Sequence, residues 1–452
     1  MDSSNNARTA DIQHHYHPVT SPTELRRDGP SLVTKGEGIR LTIDGRELFD
    51  GFAGLGCAAI GYGNEEVAAA AYSAMKRLSF CHSFWGQGNP DAALLSKKLS
   101  ELTNGDFDTF FFASTGSDAN ESAIKIIYYY WKLRNQPTRK ILLARNYAYH
   151  GNTVLTTVLS GIHHYHEQFD LPISGVVHHV DAPYWYRYGN GKTAEEQGAE
   201  AAASLERKIL ELGAENVAAF FVEPIQGAGG IIMPTASYLK QVAEICKRHD
   251  ILLVSDEVIT GFGKTGSMFA YQHYGFQPDI LVVAKGITSA YFPLSAVGLG
   301  AKVADVLTAA DEMFVHGFTN SGHPVGAAVA LANIDVIEKQ KLLEHVTKDL
   351  HPALNSWMQK FSRHPAVGEA RSVGVIAALD FSLGHTEEEQ TAFCEAVSQE
   401  ARNRGFIARA IGPVLGMIFP LITTVDELNA CMAILESSLD ATYALTVAEA
   451  KV

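Results

Sequence analysis

Five short runs of almost uninterrupted apolar residues restrict this chain more than any other feature. They fall at residues 109–112, 140–144, 218–222, 251–254 and 279–283, and amphipathic helical stretches separate them. A strand that is apolar on both faces needs cover on both sides. Such strands alternating with helices indicate a mostly parallel sheet with helices on each face, an α/β fold. The 452 residues suffice for one large domain and a second, smaller one. The pattern divides into an N-terminal segment, 1–60, a large domain, 61–325, and a C-terminal α+β region, 326–452. Residues 39–49 alternate around Asp44-Gly45 and read as a hairpin. Residues up to about Asp11 read as a loose tail.

Composition excludes some partners. A net charge of −14 offers no basic excess for nucleic acid or an anionic membrane. No apolar stretch has the length of a membrane span. The polar start is no signal peptide, and Cys57, Cys81, Cys246, Cys394 and Cys431 are scattered without paired spacing. Reduced thiols in a cytoplasmic protein are the expectation.

Lys285 follows the apolar run Ile280-Leu281-Val282-Val283. A lysine at the end of a buried strand loses its charge or finds a special partner, and a desolvated lysine is a nucleophile toward carbonyl compounds. Alone, it reads first as a residue that simply points into solvent past the strand end; the segments around it argue otherwise. Asp256 and Glu257 end another apolar run, where open α/β sheets place their ligands. A carboxylate there needs a cation, such as a protonated pyridine nitrogen, unless Asp256 only caps a helix. The small, polar segment Ser114-Thr-Gly-Ser-Asp-Ala-Asn120 precedes a helix and suits a phosphate group, or a plain N-cap by Ser117 or Asp118. Tyr149 offers a flat ring to stack on a ligand, or core packing.

Three features point elsewhere and are set aside. Gly261-Phe-Gly263-Lys264-Thr265-Gly266 lacks the first glycine of a nucleotide P-loop, since Val258 stands there. The Gln226–Gly230 glycine cluster has no acidic ribose partner. His163, His164, His166, His178 and His179 lack metal-ligand helical spacing and read as surface histidines in a loop; no metal site is expected.

Together these segments resemble the class III pyridoxal-phosphate aminotransferases of fold type I. The matching blocks are Ser114-Thr-Gly-Ser-Asp-Ala-Asn120, Tyr149-His-Gly151, Glu223-Pro-Ile-Gln-Gly227, Asp256-Glu-Val-Ile-Thr-Gly-Phe-Gly263, Ala284-Lys-Gly286 and His316-Gly-Phe-Thr-Asn-Ser-Gly-His-Pro324. His17-Pro18 and Asp50-Gly-Phe-Ala-Gly54 are most similar to the omega-amino acid and amine:pyruvate branch. The resemblance implies a mostly parallel seven-stranded sheet and pyridoxal 5′-phosphate as cofactor. It implies Lys285 as the Schiff-base lysine and proton carrier, and Asp256 on the pyridine nitrogen. Gly116 and Ser117 are implied at the phosphate, with Thr319 reaching in from a partner subunit. Tyr149 and Val258 are implied on the two faces of the ring, and Glu223 in support of Asp256 and the phenolic side.

It further implies Arg409 as a mobile arginine for a substrate carboxylate, with a surface ion pair as the plain alternative. Leu55, Gly56, Phe84, Trp85 and Tyr149 are implied as the substrate wall. Gly56 stands where that branch often has tryptophan, which predicts a roomy pocket for bulky or long-chain amines. The implied activity is ping-pong transfer of an amino group from an amine or omega-amino acid to pyruvate or another 2-oxo acid. The implied assembly is a homodimer, or a tetramer, with the active site at the subunit interface. An aminomutase or decarboxylase on the same cofactor is the near alternative, and a non-catalytic cofactor-binding regulator the distant one.

Overall fold

The computed structural model describes residues 3–171 and 173–449. The chain opens with a helix, Ser3–His14, where the sequence suggested a loose tail. Arg8 explains the order: its guanidinium donates to Pro30 O at 2.8 Å and to Asp44 Oδ1 at 2.7 Å. That fastens the helix to the hairpin expected around Asp44-Gly45. Three strands follow, β1 (Val33–Glu37), β2 (Arg40–Ile43) and β3 (Arg46–Asp50). Asp44 and Gly45 both have positive φ, 51° and 77°, as a two-residue turn of matching twist requires.

The central sheet contains β4 (Phe107–Ala113), β5 (Ile141–Arg145), β6 (Val177–Val180), β7 (Val217–Val222), β8 (Leu252–Asp256), β9 (Ile280–Val283) and β10 (Ser295–Gly300). The order is β4-β10-β9-β8-β7-β5-β6. Pairings from β9 through β6 are parallel, and β10 runs antiparallel to both its neighbours. Every residue of β7, β8, β9 and β10 is buried, which accounts for their unbroken apolar character. Two apolar clusters pack on the sheet. One includes Trp131 and Phe221, and the other includes Phe220 and Tyr238.

Two strands of the central sheet went unrecognised in the sequence. β6 contains His178 and His179, read as surface loop histidines; both are half-buried on a strand. His179 bonds Leu159 O at 3.1 Å, and burial pulls its pKa down to about 4. β10 is Ser-Ala-Val-Gly-Leu-Gly, whose glycines hide the apolar pattern. Gly298 is required there, because a Cβ would lie 2.9 Å from the Phe110 ring.

The remaining strands are β11 (Val367–Val373), β12 (Ile376–Phe381), β13 (Phe406–Ile407), β14 (Arg409–Ile411) and β15 (Val414–Ile418). Four of them form the sheet β11-β12-β15-β14, while β13 joins the N-terminal strands in the order β1-β2-β3-β13. The two ends of the chain therefore share a sheet, with Phe406 opposite Phe49. This is the α/β fold with a smaller α+β part drawn from both termini. Among the described residues, no helix is long and apolar enough to cross a membrane.

Candidate active site

The carboxyl ends of the parallel strands surround a cavity of about 330 Å³, as expected for an open α/β sheet. β9 leads into Lys285. The chain then turns back to form the antiparallel β10, so the Lys285 loop closes over the strand ends. Lys285 itself has a left-handed backbone, φ 46°, a costly conformation for a residue with a Cβ. Part of its side chain faces the cavity. Elsewhere protein surrounds the amine, and this desolvation lowers its pKa, against the opposing influence of Cys57, Asp256 and Glu223. A lowered pKa supplies the unprotonated amine that attack on an aldehyde needs.

Asp256 ends β8 and is 4% exposed. Its Oδ2 accepts from Asn120 Nδ2 at 2.8 Å and lies 2.8 Å from His150 Nδ1; its Oδ1 accepts from Val258 N at 3.1 Å. Asn120 also donates to His150 O at 2.8 Å. Asp256 is thus held as a fixed acceptor on the cavity wall, not as a helix cap. Glu257 does something different. It accepts from Ala270 N at 2.6 Å, Tyr271 N at 2.7 Å and Thr260 Oγ1 at 3.1 Å, so it holds the start of the helix Ala270–Tyr274. Successive strand residues point to opposite faces, which separates the two carboxylates.

Glu223 follows β7. It accepts from Tyr149 N at 3.0 Å and Gly227 N at 3.3 Å. Burial raises its pKa to about 7, and the nearby Asp256 pushes the same way.

The helix Gly116–Leu133 starts at the cavity, capped by Thr115 in a reciprocal box with Asp118. The sequence suggested Ser117 or Asp118 as the plain cap. Thr115 takes that role because its backbone is still extended, with φ −130° and ψ 163°. Ser117 is left in the first turn, where N–H groups have no partner within the helix and favour an anion. Two glycines shape the cradle. A Cβ on Gly116 would meet both Val258 methyls at 3.1 Å, and one on Gly151 would lie 2.6 Å from Ser117 Oγ and from Thr156 Oγ1. Asn152 N donates to Ser117 Oγ at 3.1 Å.

The cavity therefore brings together Gly116, Ser117, Tyr149, Glu223, Asp256, Val258 and Lys285. Its wall does not include Thr319, Leu55, Gly56, Phe84, Trp85 or Arg409. Thr319 is exposed. Its segment is stitched to the one carrying Phe84 and Trp85 by Ser83 Oγ to Ser321 O, 3.1 Å, and Asn89 Nδ2 to Gly322 O, 2.8 Å. Gly56 is buried beneath the wall with φ 70°, and Leu55 is exposed; the adjacent Cys57 is the lining residue. Arg409 stands on β14 with its guanidinium 5.5 Å from the Phe52 ring centroid. It makes no ion pair among the described residues.

The sequence reading missed Cys57, Asn120, His150, Ile259, Thr288 and Phe292 as wall residues. Asn120 and His150 stood inside quoted blocks, so attention to their neighbours would have found them. The Cys57 segment carries no such signal. It is placed by Asp50, whose buried carboxylate accepts from Phe52 N at 3.1 Å, Gly54 N at 2.6 Å and Tyr62 Oη at 2.5 Å. Asp11, His15 and His17 bring candidate metal ligands within 4.8 Å of one another on the N-terminal segment. Both imidazoles there already pair with Asp11.

A Lewis-basic lysine, a buried carboxylate facing the same space and an anion cradle at a helix start make a site for a phosphorylated pyridine aldehyde. Comparison with known proteins agrees. The Aminotransferase class-III family model matches residues 25–439. The chain is 39% identical over 453 aligned positions to a putrescine–pyruvate aminotransferase of Pseudomonas aeruginosa, covering 98% of this chain and 99% of the relative. Among solved structures, the omega transaminase of Pseudomonas jessenii in complex with PMP superposes with a TM-score of 0.92 at 35% identity, covering 96% of this chain and 98% of that one. A thermostable omega transaminase with a tryptophan replaced by glycine, engineered for asymmetric synthesis of enantiopure bulky amines, gives a TM-score of 0.93 at 35% identity over 97% of this chain and 99% of that one. The chain belongs to the class III aminotransferases: it is a pyridoxal-phosphate-dependent transaminase of fold type I.

Proposed function

We propose that this enzyme moves an amino group from a primary amine or omega-amino acid, of bulky or long-chain type, to pyruvate. The carrying observation is the convergence of Lys285, Asp256 and the Gly116–Ser117 helix start on one cavity. When bound, pyridoxal phosphate supplies the aldehyde that takes the amine and the ring that accepts electrons. The residues present fit it. A Cβ on Gly151 would collide with Ser117 Oγ and Thr156 Oγ1, one on Gly116 would crowd Val258, and the helix start there suits the phosphate. Asp256 suits the pyridine nitrogen, Tyr149 and Val258 the two faces, and Glu223 the phenolic side.

Lys285 then serves as nucleophile and proton carrier, burial lowering the pKa of its amine. Asp256 stays aligned through Asn120 and His150, so no reorganisation is needed as charge develops. Arg409, which lies over the Phe52 ring without an ion pair among the described residues, is placed to grip the carboxylate of the 2-oxo acid and to leave for an amine.

Pyruvate as acceptor is favoured by the Pseudomonas aeruginosa relative, a putrescine–pyruvate enzyme. Bulky donors are favoured by the similarity to the tryptophan-to-glycine relative engineered for bulky amines. A homodimer is favoured by the exposed apolar side chains on the Trp85 and Thr319 segments: Trp85 is 84%, Met313 77% and Val315 83% exposed. A second copy covering that face would bring Thr319 toward the other cavity. Five unpaired cysteines favour a reducing, cytoplasmic setting.

The test is borohydride trapping with peptide mapping, followed by a panel of amine donors against pyruvate and 2-oxoglutarate. The expected result is one adduct, on Lys285, none in Lys285→Ala, and turnover with long diamines and pyruvate. An active Lys285→Ala enzyme would refute the mechanism. Preference for 2-oxoglutarate with small donors would refute the substrate assignment.

A further inference from the structure

The loop that carries Lys285 is unusual in its backbone. Within six residues, Lys285, Ser289 and Ala290 all have positive φ, at 46°, 49° and 64°, and none is glycine. L residues avoid this region, so a loop with three of them persists only where its surroundings over-determine it. Three backbone hydrogen bonds across these residues are long, Thr288 N to Lys285 O at 3.3 Å, Ser289 N to Gly286 O at 3.3 Å and Ala290 N to Lys285 O at 3.2 Å, while Thr288 Oγ1 donates to Phe292 O at 2.6 Å further along the loop.

Shorter contacts reach these residues from outside the loop. Asn333 lies on the helix Pro324–Lys339 and is fully buried. Its Nδ2 donates to Gly286 O at 2.9 Å and to Ile287 O at 3.0 Å. Its Oδ1 accepts from the Ser289 hydroxyl at 2.6 Å. Two carbonyls on one side and a hydroxyl on the other fix the amide orientation. Ser289 Oγ in turn accepts from Ile60 N at 3.1 Å. Ile60 lies three residues from Cys57 on the cavity wall. One chain of hydrogen bonds thus joins that wall, the lysine loop and a helix, and neither Asn333 nor Ser289 lines the cavity.

We propose that Asn333 and Ser289 are positioning residues that hold the Lys285 loop in its left-handed turn from behind, and so set where the lysine amine sits. Asparagine suits the place because only a primary amide both donates twice and accepts. Aspartate would set a carboxylate against two carbonyls, and leucine would leave Ile287 O without its donor and Gly286 O with the long bond from Ser289 N. The inference rests on the reading of Lys285 as the attachment and proton-transfer residue.

The experiment uses full-length Asn333→Ala and Ser289→Ala proteins, stripped of cofactor and reconstituted with pyridoxal phosphate. It follows the rate of borohydride-trappable attachment at Lys285, the pH dependence of the cofactor's visible absorbance, kcat and KM for the amine, and Tm. Attachment and kcat are expected to fall at least about tenfold in Asn333→Ala, and less in Ser289→Ala, with KM changed under about threefold. The absorbance transition should shift with pH in both. If Asn333→Ala does not fold, Ser289→Ala decides. Wild-type attachment rate, kcat and titration in a variant with only a lower Tm would overturn the proposal. Trapping of wild-type cofactor at a residue other than Lys285 would instead overturn the functional reading beneath it.

Discussion

Asp256 Oδ2 and His150 Nδ1 meet at 2.8 Å, and neither residue is more than 4% exposed. With Asn120 on the same oxygen, the carboxylate is aimed by side chains from two other elements before any ligand arrives. Asp256→Asn keeps the shape but removes the charge and turns an amide toward a donor. We expect the variant to bind pyridoxal phosphate and to lose about 100-fold or more in kcat, measured in single-turnover reactions with an amine. Undiminished kcat would show that no charge is needed there.

Gly151 cannot accept a side chain. Its φ is 140° and its added Cβ would lie 2.6 Å from two hydroxyl oxygens. Gly151→Ala should displace Ser117 and loosen the anion cradle. The expectation is a loss of about 1–3 kcal/mol in stability and faster cofactor loss on dialysis, read by calorimetry and absorbance. Equal retention in both proteins would contradict the cradle.

The Arg409 guanidinium lies 5.5 Å from the Phe52 ring centroid and makes no ion pair among the described residues. Arg409→Ala should raise KM for pyruvate about 10- to 100-fold, the worth of a charge-assisted pair, and leave the amine half-reaction within about twofold. Stopped-flow measurement of each half-reaction separates these. A matching loss on the amine side would mean that the residue shapes the whole site.

Glu257 gives a pH prediction independent of the cofactor. Burial raises its pKa to about 7, from 4.5 as its ordinary value. Between those values the folded state keeps a proton that the unfolded state releases. Its contribution is therefore most favourable below about 4.5 and is lost as pH rises through about 7. Glu257→Gln should flatten the fall of apoenzyme Tm across that window. Below about pH 4.5, where Glu257 carries its proton in both states, it should lower stability by about 1–3 kcal/mol, because one backbone N–H loses its acceptor. An unchanged slope would assign the titration to Glu223, which shares the same range.

The apolar strand runs were legible because burial on both faces leaves a plain record in the residues themselves. β6 and β10 were not, because histidines in one and glycines in the other mask that record. The N-terminal helix was missed for a related reason: its order depends on Arg8 reaching Pro30 and Asp44, contacts that span 22 and 36 residues.

Residue order determined the sheet type, the lysine at a strand end and the polar segments at the other strand ends, since periodicity and burial are local properties. Tertiary structure decided that Asp256 faces the cavity while Glu257 caps a helix, and that Cys57, not Gly56, forms the wall. It also decided that Asn333 reaches the Lys285 loop across 46 and 47 residues. Those outcomes depend on distant segments meeting in space, and only packing brings them together.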